Sequence, residues 1–250
     1  DMTVVNSARV SFGKEVEEYL TKLANDLGAK ASIYQQDQKL GTAHALLCAQ
    51  DSLEGNLIVA FADTLFRSDF KLDASQDGIL WVQKVEDPRA YGVVTLDNEG
   101  TVTEFVEKPT EFVSDLAIIG IYYFKDGKQL KDELQYLIDN DIKDKGEYQL
   151  TNALENLKKA GKKFKTQQIE EWLDCGNQKA LLHANQRVLS FKKETNFVHP
   201  NAEISNSVII EPCYIEEGVT IQNAVIGPYV TIHKNASIKD AVVRQSIIND

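Results

Sequence analysis

The chain has 250 residues, 43% hydrophobic and 26% charged, long enough to bury a large core and ordinary for a globular protein. Acidic residues outnumber basic ones 38 to 27, for a net charge of −11, which argues against binding along a nucleic-acid backbone, since that needs a basic face. No apolar run approaches the roughly 18 residues that span a bilayer, and no charged-then-apolar leader opens the chain, so neither a membrane span nor a secretory signal is expected.

Val16, Tyr19, Leu20, Leu23 and Leu27 recur at helical spacing, predicting a helix over 13–27 with Gly28 as its stop. A short strand over 29–34 and a helix over 42–53 follow. Residues 57–62 form a continuous apolar run that ends at Asp63, the pattern of a strand buried on both faces. Strands are expected at 79–85, 92–96 and 101–106, the last two forming a hairpin around Asp97-Asn98-Glu99-Gly100. Residues 117–124 read as another apolar strand, 128–138 and 150–160 as helices, 164–169 as a strand and 177–193 as a long helix. Strands alternating with helices predict an α/β layer domain, Rossmann-like, with a mainly parallel central sheet.

Beyond residue 200 helical spacing vanishes. Ile209, Ile215, Ile221, Ile226, Ile232 and Ile238 recur every six residues with one step of five, and turn-formers such as Glu217-Gly218, Gly227-Pro228 and Asn235-Ala236 fill the gaps. A six-residue aliphatic repeat predicts a parallel β-helix whose isoleucines point inward, with coils of roughly 18 residues. The expected domains are 1–195 and 196–250. Fewer than about three such coils fit into 203–250, so the repeat is expected to run on past Asp250.

Cys48, Cys175 and Cys213 are odd in number, far apart and without a CxxC pair, which excludes a zinc ribbon and favours a reducing, cytoplasmic setting. Three places carry chemistry. Asp63 follows an apolar strand, where open α/β sheets bind ligands. Asp174, in Trp172-Leu173-Asp174-Cys175-Gly176, is a second carboxylate just before the last helix. Two carboxylates can hold Mg²⁺, which also takes phosphate oxygens and waters, and this suits phosphoryl or nucleotidyl transfer. A carboxylate separation of about 4–7 Å is expected, given metal–oxygen distances near 2.1 Å. Gln36 precedes the turn Lys39-Leu40-Gly41-Thr42 at a helix start; an amide there can pair with a nucleobase edge, and an ordinary turn capped by Thr42 is the plainer alternative. Glu107-Lys108-Pro109 ends a strand with an acceptor for sugar hydroxyls and a point charge for a phosphate; a surface ion pair is the plainer alternative.

The order of these motifs is more specific than any one of them. The Gln36…Gly41-Thr42 turn, the strand before Asp63, Asp87-Pro88…Tyr91-Gly92-Val93-Val94, Val106-Glu107-Lys108-Pro109, the apolar strand around Gly120, Gly146-Glu147-Tyr148-Gln149-Leu150-Thr151 and Trp172…Asp174…Gly176 together resemble the sugar-phosphate nucleotidyltransferase family. The resemblance runs from about Gly13 to Leu189. Several members carry a C-terminal left-handed β-helix, so one is implied here too. The resemblance implies a nucleoside triphosphate and a sugar-1-phosphate as substrates, and an NDP-sugar and pyrophosphate as products. It implies Gln36 and Gly41 at the nucleobase, with Thr42 beside them among the substrate-binding residues. Gly92, Glu107 and Gly120 would stand at the sugar, Lys108 at the sugar phosphate as a catalytic cation, and Asp63 and Asp174 as catalytic ligands of Mg²⁺. No nucleic-acid or membrane partner is implied, and the exposed coil faces favour a homo-oligomer.

The sequence also departs from the family. Its 14 glycines include no G-x-G, whereas the family opens with a strand and a G-x-G-T/K-x-x-R loop that cradles the triphosphate. Some 70 to 90 residues of the family pattern, with the first strand, are expected to be missing, and transferase activity is expected to be impaired. Met2 to Glu15, above all Ala8-Arg9-Val10-Ser11-Phe12, resembles the N-terminal region of flavin-dependent thymidylate synthases, so residues 1–12 are open to a reading as foreign to the domain. A non-catalytic nucleotide- or sugar-sensing subunit is the alternative function. A hexapeptide acyltransferase finds only His233 as a candidate catalytic histidine in the coils. The nucleobase and the sugar are not legible.

Overall fold

A computed structural model of the chain describes residues 1–7, 13–69, 71–191 and 197–249. In chain order the elements are β1 (Met2–Ser7), α1 (Lys14–Asp26), β2 (Ala31–Gln36), α2 (Thr42–Cys48), β3 (Leu57–Ala60), β4 (Thr64–Arg67), β5 (Gly78–Lys84), β6 (Gly92–Leu96), β7 (Val102–Glu107), β8 (Leu116–Phe124), α3 (Gly127–Asp139), α4 (Leu150–Lys159), β9 (Phe164–Gln168), β10 (Glu171–Asp174) and α5 (Gln178–Phe191), followed by short strands from Phe197 onward. They form two compact units, Asp1–Phe61 with Ser68–Glu170, and Ala62–Arg67 with Glu171–Asp250. Among the described residues no helix is long and apolar enough to cross a membrane.

In the first unit, β1 and β2 pair in parallel around α1, with Met2 opposite Ala31 and Ser7 opposite Gln36. Residues 2–7 thus form a strand, while Ala8 to Phe12 lie outside the described residues. The apolar stripe of α1 forms as expected but stays half open: Tyr19 is 64% and Leu27 73% exposed, and only Ala24 is buried. A ladder of two described strands is too narrow to cover more of the helix.

The larger sheet has the order β7–β6–β8–β5–β9, with β3 also on β8. It is mixed and mostly antiparallel, with β5–β9 as its parallel pair. This corrects the expectation of a mainly parallel sheet. No α-helix intervenes between β5 and β8, and without a crossover of a dozen residues or more successive strands reverse direction. The expected burial of residues 57–62 on both faces is corrected as well. Along β3, paired with β8, Val59 is buried while Ile58 is 58% exposed, so alternate side chains face the core and one face of the strand stays open.

β8 runs along β5 on one edge and shares its other edge between two partners. β6 meets it at Ala117, and β3 meets it from Ile121 to Phe124. The two partners part around Ile118 and Ile119, and Gly120, at φ +81°, accepts a hydrogen bond from the Phe61 amide (2.9 Å). Leu80, Val82, Tyr122 and Phe124 join Leu130, Leu134 and Leu137 of α3 and Leu150, Ala153 and Leu154 of α4 in one core. α3 starts on Asp126, whose carboxylate accepts from the Gln129 amide, an ordinary N-cap.

In the second unit β4 pairs antiparallel with β10, Thr64 opposite Asp174 and Phe66 opposite Trp172. Residues 197–249 form a parallel β-helix of three ladders. One stacks Phe197–Val198, Cys213–Ile215, Val230–Ile232 and Ser246–Ile248; the second stacks Glu203–Ser205, Thr220–Gln222 and Ser237–Lys239; the third stacks Val208–Ile209, Val225–Ile226 and Val242–Val243. Ile215, Ile221, Ile226 and Ile232 are at most 1% exposed, and Ile238 is buried beside them. Val208 faces Val225 and Val225 faces Val242, so a coil takes 17 residues there, not the expected 18. The step of five between Ile221 and Ile226 belongs to every coil.

One corner of the helix is built from Asn206, Asn223 and Asp240, all at positive φ (46°, 51° and 52°). Asn206 Nδ2 donates to Asn223 Oδ1 at 2.7 Å, and Asn223 Nδ2 donates to Asp240 Oδ1 at 3.0 Å. Asparagine tolerates the left-handed conformation, while alanine costs about 1–2 kcal/mol there. Asn223→Ala should lower stability by roughly 2 kcal/mol, adding the lost ladder bonds. Asn223→Gly, which relieves the strain but not the hydrogen bonds, should cost less. Urea unfolding of both variants checks the order, and equal losses would leave the strain argument without support.

Candidate functional site

The turn expected to meet a nucleobase lies between β2 and α2. Gly41 sits at φ +105°, and a Cβ there would overlap the Tyr148 carbonyl oxygen and stand 2.9 Å from Glu147 Cβ. Only glycine permits both the conformation and the approach. The neighbouring backbone is laced to the same segment: Ala43 N donates to Tyr148 O (3.0 Å) and Tyr148 N to Leu40 O (2.8 Å). Gln36 is buried, 3% exposed. Its Nε2 donates to Gly41 O at 3.0 Å and lies 3.1 Å from His44 Nδ1. Thr42 does not cap its own helix. Its hydroxyl oxygen accepts from the Leu150 amide (2.9 Å), capping α4 from 108 residues away, and donates to Gln149 Oε1 (3.2 Å). Gln149 Nε2 then donates to Glu147 Oε2 (3.1 Å).

Gly92 and Glu107, expected at the sugar, meet Thr151 and Ile118 where β6 and β3 part along β8. Thr151 at the start of α4 donates its hydroxyl to Glu107 Oε2 (3.0 Å). A Cβ on Gly92 would lie 3.1 Å from Glu107 Oε2, 3.2 Å from Thr151 Cγ2 and 3.5 Å from Ile118 Cδ1, so a side chain there would close the space beside the carboxylate. Tyr122 stands on the same strand as Gly120, its ring edge-on to Phe61 at 5.8 Å between centroids. Burial raises the Glu107 carboxyl above the usual range, against the pull of the Thr151 hydroxyl and Lys108. Burial, with Glu107 second, also raises the Tyr122 phenol. Lys108, at φ 44°, donates its amide to Tyr91 O (3.0 Å) and holds its ammonium 3.7 Å from Glu107 Oε1. Lys145, a residue the sequence pattern did not single out, donates Nζ to the backbone Lys108 O at 2.7 Å and is a second cation that pulls on Glu107. The segment 147–151 therefore touches both the Gly41–Thr42 turn and Glu107.

The second unit brings Asp63 and Asp174 together. Asp63 lies in the turn before β4, and Asp174 ends β10, the partner of β4. Cys175 N donates to Asp63 O and Gly176 N to Asp174 Oδ1, each at 2.8 Å. A Cβ on Gly176 would stand 3.1 Å from Asp174 Oδ1 and 3.3 Å from Asp63 Oδ2, so these two oxygens are no farther apart than the sum of those distances. Gly176 keeps the space between them open. Two hard carboxylate oxygens facing one gap are a donor set for a small divalent cation such as Mg²⁺. Among the described residues no group of three or more His, Cys, Asp and Glu gathers for a metal. Burial, then Asp174 and Asp63, pushes the Cys175 thiol up.

Residues 4–190 match the family model described as nucleotidyl transferase. The chain belongs to the nucleotidyl transferase family. Residues 192–249 match a second model, described as the GlmU-like C-terminal hexapeptide. The chain is 27% identical to a glucose-1-phosphate thymidylyltransferase of Streptomyces griseus over 245 residues, which is 88% of this chain and 67% of that protein. It is 31% identical to the bifunctional protein GlmU of Methanococcus vannielii over 191 residues, 73% of this chain and 45% of that one. It thus spans about two thirds of the first relative and less than half of the second. Its fold is similar to that of a putative glucose-1-phosphate thymidylyltransferase from Bacillus anthracis, with a TM-score of 0.62 at 23% identity, covering 80% of this chain and 78% of that one. The family is one of sugar-1-phosphate nucleotidyltransferases, and the architecture is a nucleotidyl transferase α/β domain followed by a left-handed β-helix.

In this nucleotidyl transferase the raised Glu107 carboxyl has a consequence with a definite sign. Its proton comes off at higher pH than in the unfolded chain. Ionised Glu107 therefore costs stability, and that cost appears as pH rises through its folded value. On the role expected for Glu107 at a sugar hydroxyl, the ionised carboxylate is the stronger acceptor, so sugar affinity should fall as pH drops through the same window. Glu107→Gln should weaken sugar binding about tenfold and flatten its pH dependence, with no loss in melting temperature. Calorimetric titration across mildly acidic pH reads both effects, and a variant that kept the wild-type pH profile would rule Glu107 out as the titrating group.

Proposed function

We propose that the protein joins a sugar-1-phosphate to a nucleoside triphosphate. A phosphate oxygen of the sugar-1-phosphate attacks the α-phosphorus, the bond to the β-phosphate oxygen breaks, and pyrophosphate leaves with the electron pair. The observation that carries the proposal is the cluster of Gly92, Glu107 and Thr151 beside Lys108, a largely buried acceptor next to a cation, as a phosphorylated sugar requires. In this reading Glu107 fixes the sugar by its hydroxyls, Gly92 and Gly120 leave it room, and Lys108 and Lys145 hold its phosphate as point charges. Gln36, Gly41 and Thr42 form the nucleobase side. Asp63 and Asp174 would hold Mg²⁺, which supplies neutralisation of phosphate charge when bound. No covalent nucleophile is required.

We further assign 1–195 to the transferase domain and 196–250 to the β-helix, and place the protein in the cytoplasm. Self-association would run through the exposed coil faces. No G-x-G occurs among the 14 glycines, so the triphosphate has no such cradle within these 250 residues. Oxyanion-type donors of that kind are worth about 2.7–4 kcal/mol each in a transition state. A polypeptide limited to these residues should then hold a sugar nucleotide but turn over slowly, and a non-catalytic sensing subunit is the second reading that this observation favours. A pyrophosphate-release assay with a panel of nucleoside triphosphates and sugar-1-phosphates separates them. Turnover that rises when a G-x-G-T-x-x-R segment is supplied upstream supports the enzyme, and binding without turnover in both versions supports the sensor. Failure of every sugar nucleotide to bind would contradict both readings.

A further inference from the structure

We propose that His44 is a positioning residue that turns Gln36 into an acceptor-only contact, so that the pocket selects nucleobases presenting a ring N–H, the uracil, thymine or guanine type, over the bare ring nitrogen of cytosine or adenine. The proposal rests on the reading of Gln36 as a nucleobase contact. A free glutamine amide is ambiguous, since its two N–H donors and its carbonyl can serve either kind of base edge. Gln36 is not free. Gly41 O, which can only accept, faces Nε2 at 3.0 Å, and this fixes the nitrogen inward. The same Nε2 lies 3.1 Å from His44 Nδ1, within reach of its second N–H. That contact is a hydrogen bond only when Nδ1 carries no proton, which places the imidazole hydrogen on Nε2. Cys48 Sγ stands 3.8 Å from the same nitrogen, and a thiol is too weak a donor to displace the closer amide from its lone pair. Burial lowers the His44 pKa and holds the ring neutral. Both donors of Gln36 are thereby used within the chain, in a side chain 3% exposed, and the carbonyl Oε1 remains to meet a ligand. An acceptor opposite a ring N–H gains a hydrogen bond, whereas opposite a bare ring nitrogen it meets a second acceptor, and a site left with an unpaired buried polar group discriminates strongly.

Two variants separate this role from simple packing. His44→Phe keeps a ring but removes the acceptor, freeing one Gln36 N–H for the ligand. His44→Asn puts a carbonyl oxygen near the place of Nδ1 and restores the acceptor. Calorimetric titration of the full chain with uridine and cytidine diphosphates, and with guanosine and adenosine diphosphates, reads the preference within each matched pair. The wild type should bind the keto member of its better pair at least about tenfold more tightly, the worth of one hydrogen bond. His44→Phe should compress that ratio about tenfold, and His44→Asn should recover most of it. A packing role would weaken both members of a pair equally and leave the ratio unchanged, which would overturn the proposal, as would a wild-type preference for the amino member. If no nucleotide binds the wild type, the assignment of Gln36 to the nucleobase fails, and the role of His44 with it.

Discussion

Asp63→Asn and Asp174→Asn should each remove the divalent cation and lower turnover by roughly a hundredfold or more, while leaving the fold intact. The two carboxylates face one gap held open by Gly176, and each supplies an oxygen that an amide replaces with a poorer ligand. Loss of one charged group that steadies a phosphoryl transition state costs on the order of 3 kcal/mol. Without cation either asparagine variant should melt close to the wild-type temperature. Added Mg²⁺ should raise the wild type and not the variants, because a ligand stabilises only the state that binds it. Mn²⁺ binding followed by electron paramagnetic resonance reads the site without turnover. Tight binding of one Mn²⁺ to the Asp63→Asn, Asp174→Asn double variant would place the cation elsewhere.

Gly41→Ala should be the most damaging substitution of a single atom group in the first unit, at about 3–5 kcal/mol. The backbone at φ +105° disfavours any side chain, by about 1–2 kcal/mol or more. The added carbon also overlaps the Tyr148 carbonyl, the oxygen that accepts the Ala43 amide, so relief of the clash breaks that hydrogen bond. A displaced Tyr148 moves its neighbours Gln149 and Thr151, which carry the Thr42 and Glu107 contacts. Nucleotide and sugar affinity should therefore fall together. For a unit of this size the melting temperature should drop by about 10 °C. Gly28→Ala makes a useful control, since Gly28 also has positive φ but nothing within 4 Å of its Cβ position; it should cost only the conformational part. Equal losses at the two positions would show that the Tyr148 contact carries no weight.

Much of this was legible in the sequence. The helices over 127–139 and 150–159 follow leucines at helical spacing, and the hairpin around residues 97–100 is announced by Asp97, whose carboxylate accepts from the Glu99 and Thr101 amides. The inward isoleucines of the β-helix are set by a spacing that no helix shares. Strand direction was not legible. An apolar run such as 116–124 has the same composition whichever way its neighbours point, and only the absence of a helix between β5 and β8 hinted at reversal. β4 and β10 are four residues each, too short for a period to show. The Lys108 and Lys145 pairing was hidden because the two are 37 positions apart and meet through a backbone carbonyl. The donor state of Gln36 was likewise hidden, since it depends on which atoms of Gly41 and His44 face it.

The central claim, that this chain holds a phosphorylated sugar against Glu107 and Lys108, is tested most directly by titrating it with sugar-1-phosphates and with the matching unphosphorylated sugars, with and without Glu107→Gln and Lys108→Ala. Lys108→Ala should sharply reduce the preference for the phosphorylated form, with Lys145 left as the remaining cation, and Glu107→Gln should weaken both forms about equally, by about tenfold, the worth of one hydrogen bond. Wild-type affinity that is the same with and without the phosphate, or that neither substitution changes, would contradict it.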